Sequence, residues 1–305
     1  MDFAVIDLGS NTFHLAIVKE SKIVFKKSQA AKLGMGGMAA KIINGEAIER
    51  GLDVLSQFIA ILDEHKIIPE NVHTYGTSAL RNATNANVFC EKVAKQTLIQ
   101  IQIIDGHKEA ELIYEGVKNA VNISEPSLIV DIGGGSVEFI ICNTEKKLWQ
   151  QSFEIGGLRL MEKYMNTDPI NPAFIPKMND FFTEKLLDLH NAIHQYKPSC
   201  LIGSSGSFDT LNDMYHFEKN GNGPNKETAG FSYPLSAFYK AFEQLVFQNR
   251  EQRMQIPGMI PLRVDMIVVA MILIAYLIRT FDLKTIQISN YALLEGAVFT
   301  HLTEK

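Results

Sequence analysis

Two stretches decide the reading: Ala4-Val5-Ile6-Asp7-Leu8-Gly9-Ser10-Asn11-Thr12-Phe13-His14-Leu15 near the start, and Leu128-Ile129-Val130-Asp131-Ile132-Gly133-Gly134-Gly135-Ser136-Val137-Glu138-Phe139 near the middle. Each is an apolar run, an aspartate, a glycine-bearing turn and a second apolar run, which is the pattern of a β-hairpin. Setting Asp7 on Asp131 places Gly9 on Gly133, and Phe13, Leu15 and Ile17 on Val137, Phe139 and Ile141. One such hairpin is ordinary. Two, each heading a succession of strand and helix signals, predict an α/β fold of two similarly built halves facing each other.

The elements around the two hairpins follow the same logic. A third strand is expected over Lys22 to Lys27, then a loop at Gly34, Gly36 and Gly37. Ile48, Leu52, Leu55, Ile59 and Leu62 recur at helical spacing, predicting a helix from Glu46 to His65. Asn71 to Tyr75 reads as a strand leading into the turn Gly76-Thr77-Ser78-Ala79-Leu80-Arg81, followed by a helix from Asn85 to Gln96. Ile101 to Ile104 is an apolar strand, and Asp105-Gly106-His107 turns into a helix from Lys108 to about Asn119. Ser124-Glu125-Pro126 breaks the pattern, so the expected domains are residues 1–123 and 124–305. Helices dominate from Gly157 onward. Cys200-Leu201-Ile202 is a strand feeding a helix through Gly203-Ser204-Ser205-Gly206-Ser207, and Gly221 to Pro224 is an exposed loop. Ile286 to Ser289 is a last strand, with Asn290 expected to cap a helix from Tyr291 to about Leu302.

At 305 residues and 46% hydrophobic content the chain can bury two cores. The formal charge of -5 excludes a global positive field and so disfavours nucleic acid as a partner. The three cysteines, Cys90, Cys142 and Cys200, form no CxxC pair. They suggest neither zinc nor disulfides and fit a reducing, cytoplasmic setting. Met1-Asp2-Phe3 lacks a basic leader. The longest apolar run, Met266 to Leu277, is too short to span a membrane and reads as a buried core helix.

The chemistry begins at the turns. A glycine or serine turn after a strand leaves successive N–H groups pointing one way, and such a nest binds phosphate oxygens. Gly9, Ser10 and Asn11 form one candidate, and Gly133, Gly134, Gly135 and Ser136 another. An aspartate stands at the mouth of each, Asp7 and Asp131. Carboxylates beside phosphates usually serve a hard cation, so Mg2+ is expected. Either turn alone is also what a plain hairpin would show; the pairing favours the anion site. Gly203, Ser204, Ser205 and Gly206 open a helix whose N-terminus suits another phosphate, although Ser207 as a simple N-cap explains the segment equally well. Glu109, in a first helical turn, is placed there by the helix dipole alone or as a catalytic group. Glu138 alternates with Val137 and Phe139, so it faces solvent or a metal-bearing cleft. Arg81 suits either a surface ion pair or phosphate neutralisation.

Together these segments, with Ser289-Asn290-Tyr291-Ala292-Leu293-Leu294-Glu295-Gly296 near the end, resemble the exopolyphosphatase/guanosine pentaphosphatase family. That family shares its fold superfamily with actin, sugar kinases and Hsp70 chaperones. The string Gly76-Thr77-Ser78-Ala79-Leu80-Arg81-Asn82-Ala83 and the Asn11 after Gly9-Ser10 are the specific matches. The resemblance implies two ribonuclease H-like domains flanking a cleft, and hydrolysis of terminal phosphate from inorganic polyphosphate or guanosine pentaphosphate. It casts Glu109 as the residue that orients or deprotonates water, and Asp131 and Glu138 as groups around Mg2+ and the nucleophile, with Asp7 nearby. Arg81 and the turn amides become the phosphate clamp, and a homodimer is the implied assembly. Two departures stand out. Lys108-Glu109 replaces a pair of glutamates, and Glu111 replaces a frequent basic residue, so Lys108 adds a positive group beside the cleft where Glu111 removes one. Longer members carry a C-terminal helical region of the HD type, without which a long polymer has less surface to grip. Two rivals remain: a kinase or actin-like ATPase, disfavoured because Ser289 to Gly296 lacks a Gly-Gly adenosine motif, and a non-catalytic polyphosphate or alarmone sensor.

Overall fold

The computed structural model describes residues 2–225 and 228–303. In the first half, β1 (Phe3–Leu8), β2 (Thr12–Lys19) and β3 (Lys22–Ala30) form an antiparallel meander. Then come α1 (Gly45–Glu64), β4 (Val72–Gly76), α2 (Ser78–Asn82), α3 (Ala86–Thr97), β5 (Ile101–Ile103) and α4 (Gly106–Lys118). The sheet order is β3-β2-β1-β4-β5, with β4 parallel to both β1 and β5. The second half repeats the plan. β6 (Ser127–Ile132), β7 (Val137–Cys142) and β8 (Lys147–Phe153) form a meander. α5 (Gly157–Tyr164), α6 (Phe174–Lys185), α7 (Leu187–Tyr196), β9 (Cys200–Ser204), α8 (Gly206–Asn220), β10 (Gly230–Tyr233), α9 (Leu235–Phe247), α10 (Arg250–Met254), α11 (Met266–Thr280), β11 (Thr285–Ser289) and α12 (Leu293–Thr303) complete it. Its sheet order, β10-β11-β9-β6-β7-β8, is the first sheet's order read backwards with one strand added. The internal repeat read from the aspartates is therefore a repeat of topology.

The registers carry the repeat to single residues: Asp7 pairs with His14 across the first hairpin, and Asp131 with Glu138 across the second. All six residues of β6 and of β7 are buried, because helices cover both faces of the second sheet. α11 is buried from Met266 through Ile278, as a helix apolar all round must be.

α12 leaves the second sheet and packs against α4, β1 and β2. One apolar cluster then joins Phe3, Val5 and Ala16 of the first sheet to Ile129, Ile140 and Ile202 of the second, through Leu112 and Ile113 of α4 and Leu294 and Val298 of α12. Two glycines permit this crossing. A Cβ on Gly116 would overlap the carbonyl oxygen of Ala292, and one on Gly296 that of Leu112. The helix bearing Glu109 is thereby clamped between the halves.

Four local expectations change. β8 and β10 appear where no strand was read, and Ser78–Asn82 is a short helix rather than a turn. The last helix begins at Leu293, and Asn290 instead donates its amide to the carbonyl of Thr228. Ser207 lies inside α8, whose N-cap position is held by Ser205 at φ 69.

Candidate active site

A cavity of about 220 Å3 lies between the halves. Both aspartate-headed turns line it, Gly9-Ser10-Asn11 on one side and Gly133-Gly134-Gly135-Ser136 on the other. They approach closely: a Cβ on Gly135 would sit 2.8 Å from Ser10 Oγ and 2.5 Å from Ser78 Oγ. The backbone behind each turn is tied down through its carbonyls. Ser10 O accepts from Gly34 N at 2.8 Å, and Asn11 O from Lys32 N at 2.9 Å. Gly133 O, Gly134 O and Gly135 O accept from Gly157, Leu158 and Gly156 at the start of α5. With the carbonyls turned outward, the N–H groups of Ser10, Asn11, Gly134 and Gly135 have no acceptor among the described residues.

Of the carboxylates that line the cavity, the three selected from the sequence, Asp7, Asp131 and Glu109, come from three elements. Asp7, at the end of β1, has a buried Oδ1 with no hydrogen-bond partner. Burial first, then Glu109, Asp131 and Glu295, hold its pKa well above the usual aspartate value. Asp131 accepts from Ser204 Oγ and Ser205 Oγ, both at 2.7 Å on Oδ2. Burial still raises its pKa, with the two hydroxyls and Arg263 pulling against the rise. Glu109 is fixed by the N-cap of α4, where Asp105 accepts from Lys108 N at 2.7 Å. Arg81 Nη1 donates to Glu109 Oε2 at 2.6 Å. Burial moves Glu109 from 4.5 to about 7, opposed by Arg81 and assisted by Asp131 and Glu154.

Other sequence-selected residues stand behind this wall. Glu138 is 1% exposed and lies beside Asp131 on the neighbouring strand, its Oε1 accepting from Ser152 Oγ at 2.6 Å. It does not line the cavity. Burial, with Glu109 and Asp131, raises its pKa well above 4.5. Arg81 reaches Glu109 rather than the cavity. Of Gly203, Ser204, Ser205 and Gly206, the last two line the cavity, Ser204 supports Asp131, and Gly203 backs the ring of Phe208. Lys108 and Glu111 pair with each other at 2.9 Å outside the cavity, so their charges cancel there.

The structure adds residues that sequence reasoning passed over. His14 Nδ1 bonds Ser28 Oγ at 2.7 Å, and burial, then Arg263 and Lys26, bring its pKa down to about 3, so the ring is neutral. Lys26 Nζ lies 2.9 Å from Glu295 Oε1, which closes one side of the cavity. Arg263, from the loop before α11, lays its guanidinium against Gly206, where a Cβ would overlap it. It makes no ion pair among the described residues, and its nearest charges are Asp209 and Asp131. Ser28 and Lys26 follow from His14 by cross-strand register and a period of two, a usable signal once the hairpin is known. Arg263 carries no such signal.

The donors suit a hard divalent cation. Asp7 offers an orphaned, buried carboxylate oxygen facing Asp131 across the turns. Among the described residues no ready-made cluster of three acidic, histidine or cysteine ligands exists. No helix among the described residues is long and apolar enough to cross a membrane.

A model of the Ppx/GppA phosphatase family matches residues 15–305. A crystal structure of an exopolyphosphatase from Cytophaga hutchinsonii is 40% identical, covers 100% of this chain and 98% of that one, and superposes with a TM-score of 0.95. A Haemophilus influenzae protein provisionally named an exopolyphosphatase is 27% identical over 303 residues, covering 98% of this chain and 91% of that protein. A guanosine-5'-triphosphate,3'-diphosphate pyrophosphatase of Photobacterium profundum is 31% identical over 216 residues, which is 70% of this chain but 43% of that enzyme.

Proposed function

Because the chain belongs to the Ppx/GppA phosphatase family, we propose that it removes terminal phosphate from inorganic polyphosphate, using the cavity between its two halves. The observation that carries the reading is the opposition of two amide-lined turns around a carboxylate whose pKa sits near neutrality. The free N–H groups of the turns supply positive dipoles for phosphate oxygens without net charge. Arg263 adds a cation on the wall formed by Gly206.

Glu109 is the base. Its Oε2 is held by Arg81, which leaves Oε1 for water. Water attacks the terminal phosphorus in line, one new P–O bond forms, the bridging P–O bond breaks, and the water proton passes to Glu109. The products are orthophosphate and a chain one unit shorter. Mg2+ would be held by Asp7 and Asp131, and when bound it supplies charge neutralisation for the phosphate oxygens. In this reading the halves are two domains, residues 1–123 and 124–305, with α12 crossing back to the first.

The lining favours a chain of phosphates over a nucleotide. It contains no Phe, Tyr or Trp among the described residues, so within the cavity a guanine base has only the His14 ring and the Arg263 guanidinium to stack on. The test is phosphate release from polyphosphate with Mg2+ present. Glu109→Gln is expected to lose at least about a hundredfold in kcat. Wild-type turnover in that variant would refute the assignment. Guanosine pentaphosphate supplied in competition is expected to be the poorer substrate.

A further inference from the structure

Glu154, in the segment between β8 and α5, joins the two halves at one carboxylate. Its Oε2 accepts from Ser78 Oγ at 3.0 Å and from Arg159 Nη2 at 2.8 Å, and its Oε1 from Arg81 Nη2 at 3.2 Å. Ser78 and Arg81 belong to α2 in the first half, and Arg159 to α5 in the second. Each partner has a second duty. Arg81 donates to Glu109 Oε2 at 2.6 Å and to Ile104 O at 3.3 Å. Arg159 donates through Nε to Gly135 O at 2.8 Å and through Nη1 to Met38 O at 3.3 Å. Ser78 lines the cavity beside Gly135.

We propose that Glu154 is a positioning residue for the hydrolysis: through Arg81 it aims the carboxylate of Glu109, and through Arg159 it fixes the Gly133–Gly135 turn against which the phosphate lies. The inference rests on the reading of Glu109 as the base. Glu154 itself does not line the cavity, so its effect passes through the residues it holds, the two arginines and Ser78. It remains ionised: burial works to raise its pKa, but the Asn82 amide, Arg159, Arg81 and Ser78 together bring it below the usual glutamate value. A guanidinium held by one carboxylate can swing about that contact. Held by Glu109, Ile104 O and Glu154 at once, the plane of Arg81 is determined, and so is the carboxylate it grips. An error of about 1 Å in such an alignment is enough to cost about a hundredfold in rate.

The experiment measures kcat and KM for polyphosphate in wild type, Glu109→Gln, Arg81→Ala, Glu154→Ala and the Arg81→Ala/Glu154→Ala double variant, with a melting temperature for each. Glu154→Ala is expected to lower kcat by about ten- to a hundredfold with KM changed by less than about threefold. In the Arg81→Ala background the same change is expected to lower kcat by clearly less than it does in wild type, because the route through Arg81 is already cut and only the one through Arg159 remains. Glu154→Gln gives the same comparison if the alanine variant does not fold. Wild-type kcat in Glu154→Ala, or losses that simply multiply in the double variant, would overturn the proposal. Full turnover in Glu109→Gln would instead remove the base assignment beneath it, whatever Glu154→Ala does.

Discussion

Glu109→Gln is expected to inactivate the protein and, above neutral pH, to stabilise it. The side chain is 7% exposed, and its pKa rises from 4.5 to about 7 on folding. A group whose folded pKa is raised binds more protons in the native state than in the unfolded state across that interval. Stability therefore falls as pH climbs from about 4.5 to about 7 and is level beyond. A rise of about 2.5 at about 1.4 kcal/mol per pH unit amounts to about 3 kcal/mol. Glutamine mimics the protonated form, so the variant should match wild type near pH 4.5 and exceed it by about 3 kcal/mol at pH 8. For 305 residues the unfolding entropy is about 0.6 kcal/mol per kelvin, which converts this to about 5 °C in Tm. The assay is thermal unfolding of both proteins in a metal chelator at intervals from pH 4.5 to 8, read as the difference between them. Asp7 and Glu138 are raised partly by the charge of Glu109, so in the variant both titrate lower and add to its advantage at pH 8. A variant less stable than wild type at pH 8 would mean that the Arg81 ion pair outweighs burial, and the account of the tuned base would fail.

Gly206→Ala should push the Arg263 guanidinium off its seat and raise KM by about tenfold while kcat changes less; an unchanged KM would show that Arg263 does not hold substrate. Gly296→Ala drives a Cβ into the Leu112 carbonyl oxygen and should cost about 3 kcal/mol by separating α12 from α4, measured as a lower urea midpoint. Ser204→Ala removes one of two donors to the buried Asp131 Oδ2 and should cost about 1–3 kcal/mol, while moving the Asp131 pKa further up; carboxylate titration by NMR reads the direction. Mg2+ should raise Tm more at pH 8 than at pH 5, since the pKa values of Asp7 and Asp131 are raised and a cation competes with protons there; equal shifts would place the ion elsewhere.

The hairpins were legible because a strand of period two and a glycine turn are local signals, and repetition doubled them. Glu138 shows the limit of that logic. Alternation with Val137 and Phe139 turns it away from one apolar face, and a two-layer protein would then expose it. α4 covers the other face, so Glu138 is buried. β8 escaped because Lys147-Leu148-Trp149-Gln150-Gln151-Ser152-Phe153 has no alternation; only Phe153 is buried in this half-covered edge strand. The position of α12 was illegible in principle. It depends on Gly116 and Gly296 meeting across a long separation in sequence, and either glycine alone only weakens a helix. Arg263 was missed for the same reason: an arginine in a loop acquires its role only when Gly206 is folded beneath it.

The charges in the wall explain why the site is built from amides. Asp7, Glu109, Asp131, Asp209 and Glu295 line it against Lys26 and Arg263, and His14 is neutral. Lys26 is already paired with Glu295, so the protein alone presents a net negative surface to a polyanion. More lysines would attract phosphate, but they would also pair with the carboxylates and pull Glu109 back toward its ordinary pKa, ending its use as a base near neutrality. Backbone N–H groups avoid that conflict. They bind oxygens at short range, contribute little field at Glu109, and cannot form salt bridges. In the proposed reading the remaining repulsion would be met from two sides: burial raises the pKa of Asp7 and Glu138, and a divalent cation held by Asp7 and Asp131 would neutralise charge where substrate meets the wall. A carboxylate-rich wall that would repel phosphate on its own would then be selective for phosphate that arrives with its counterion.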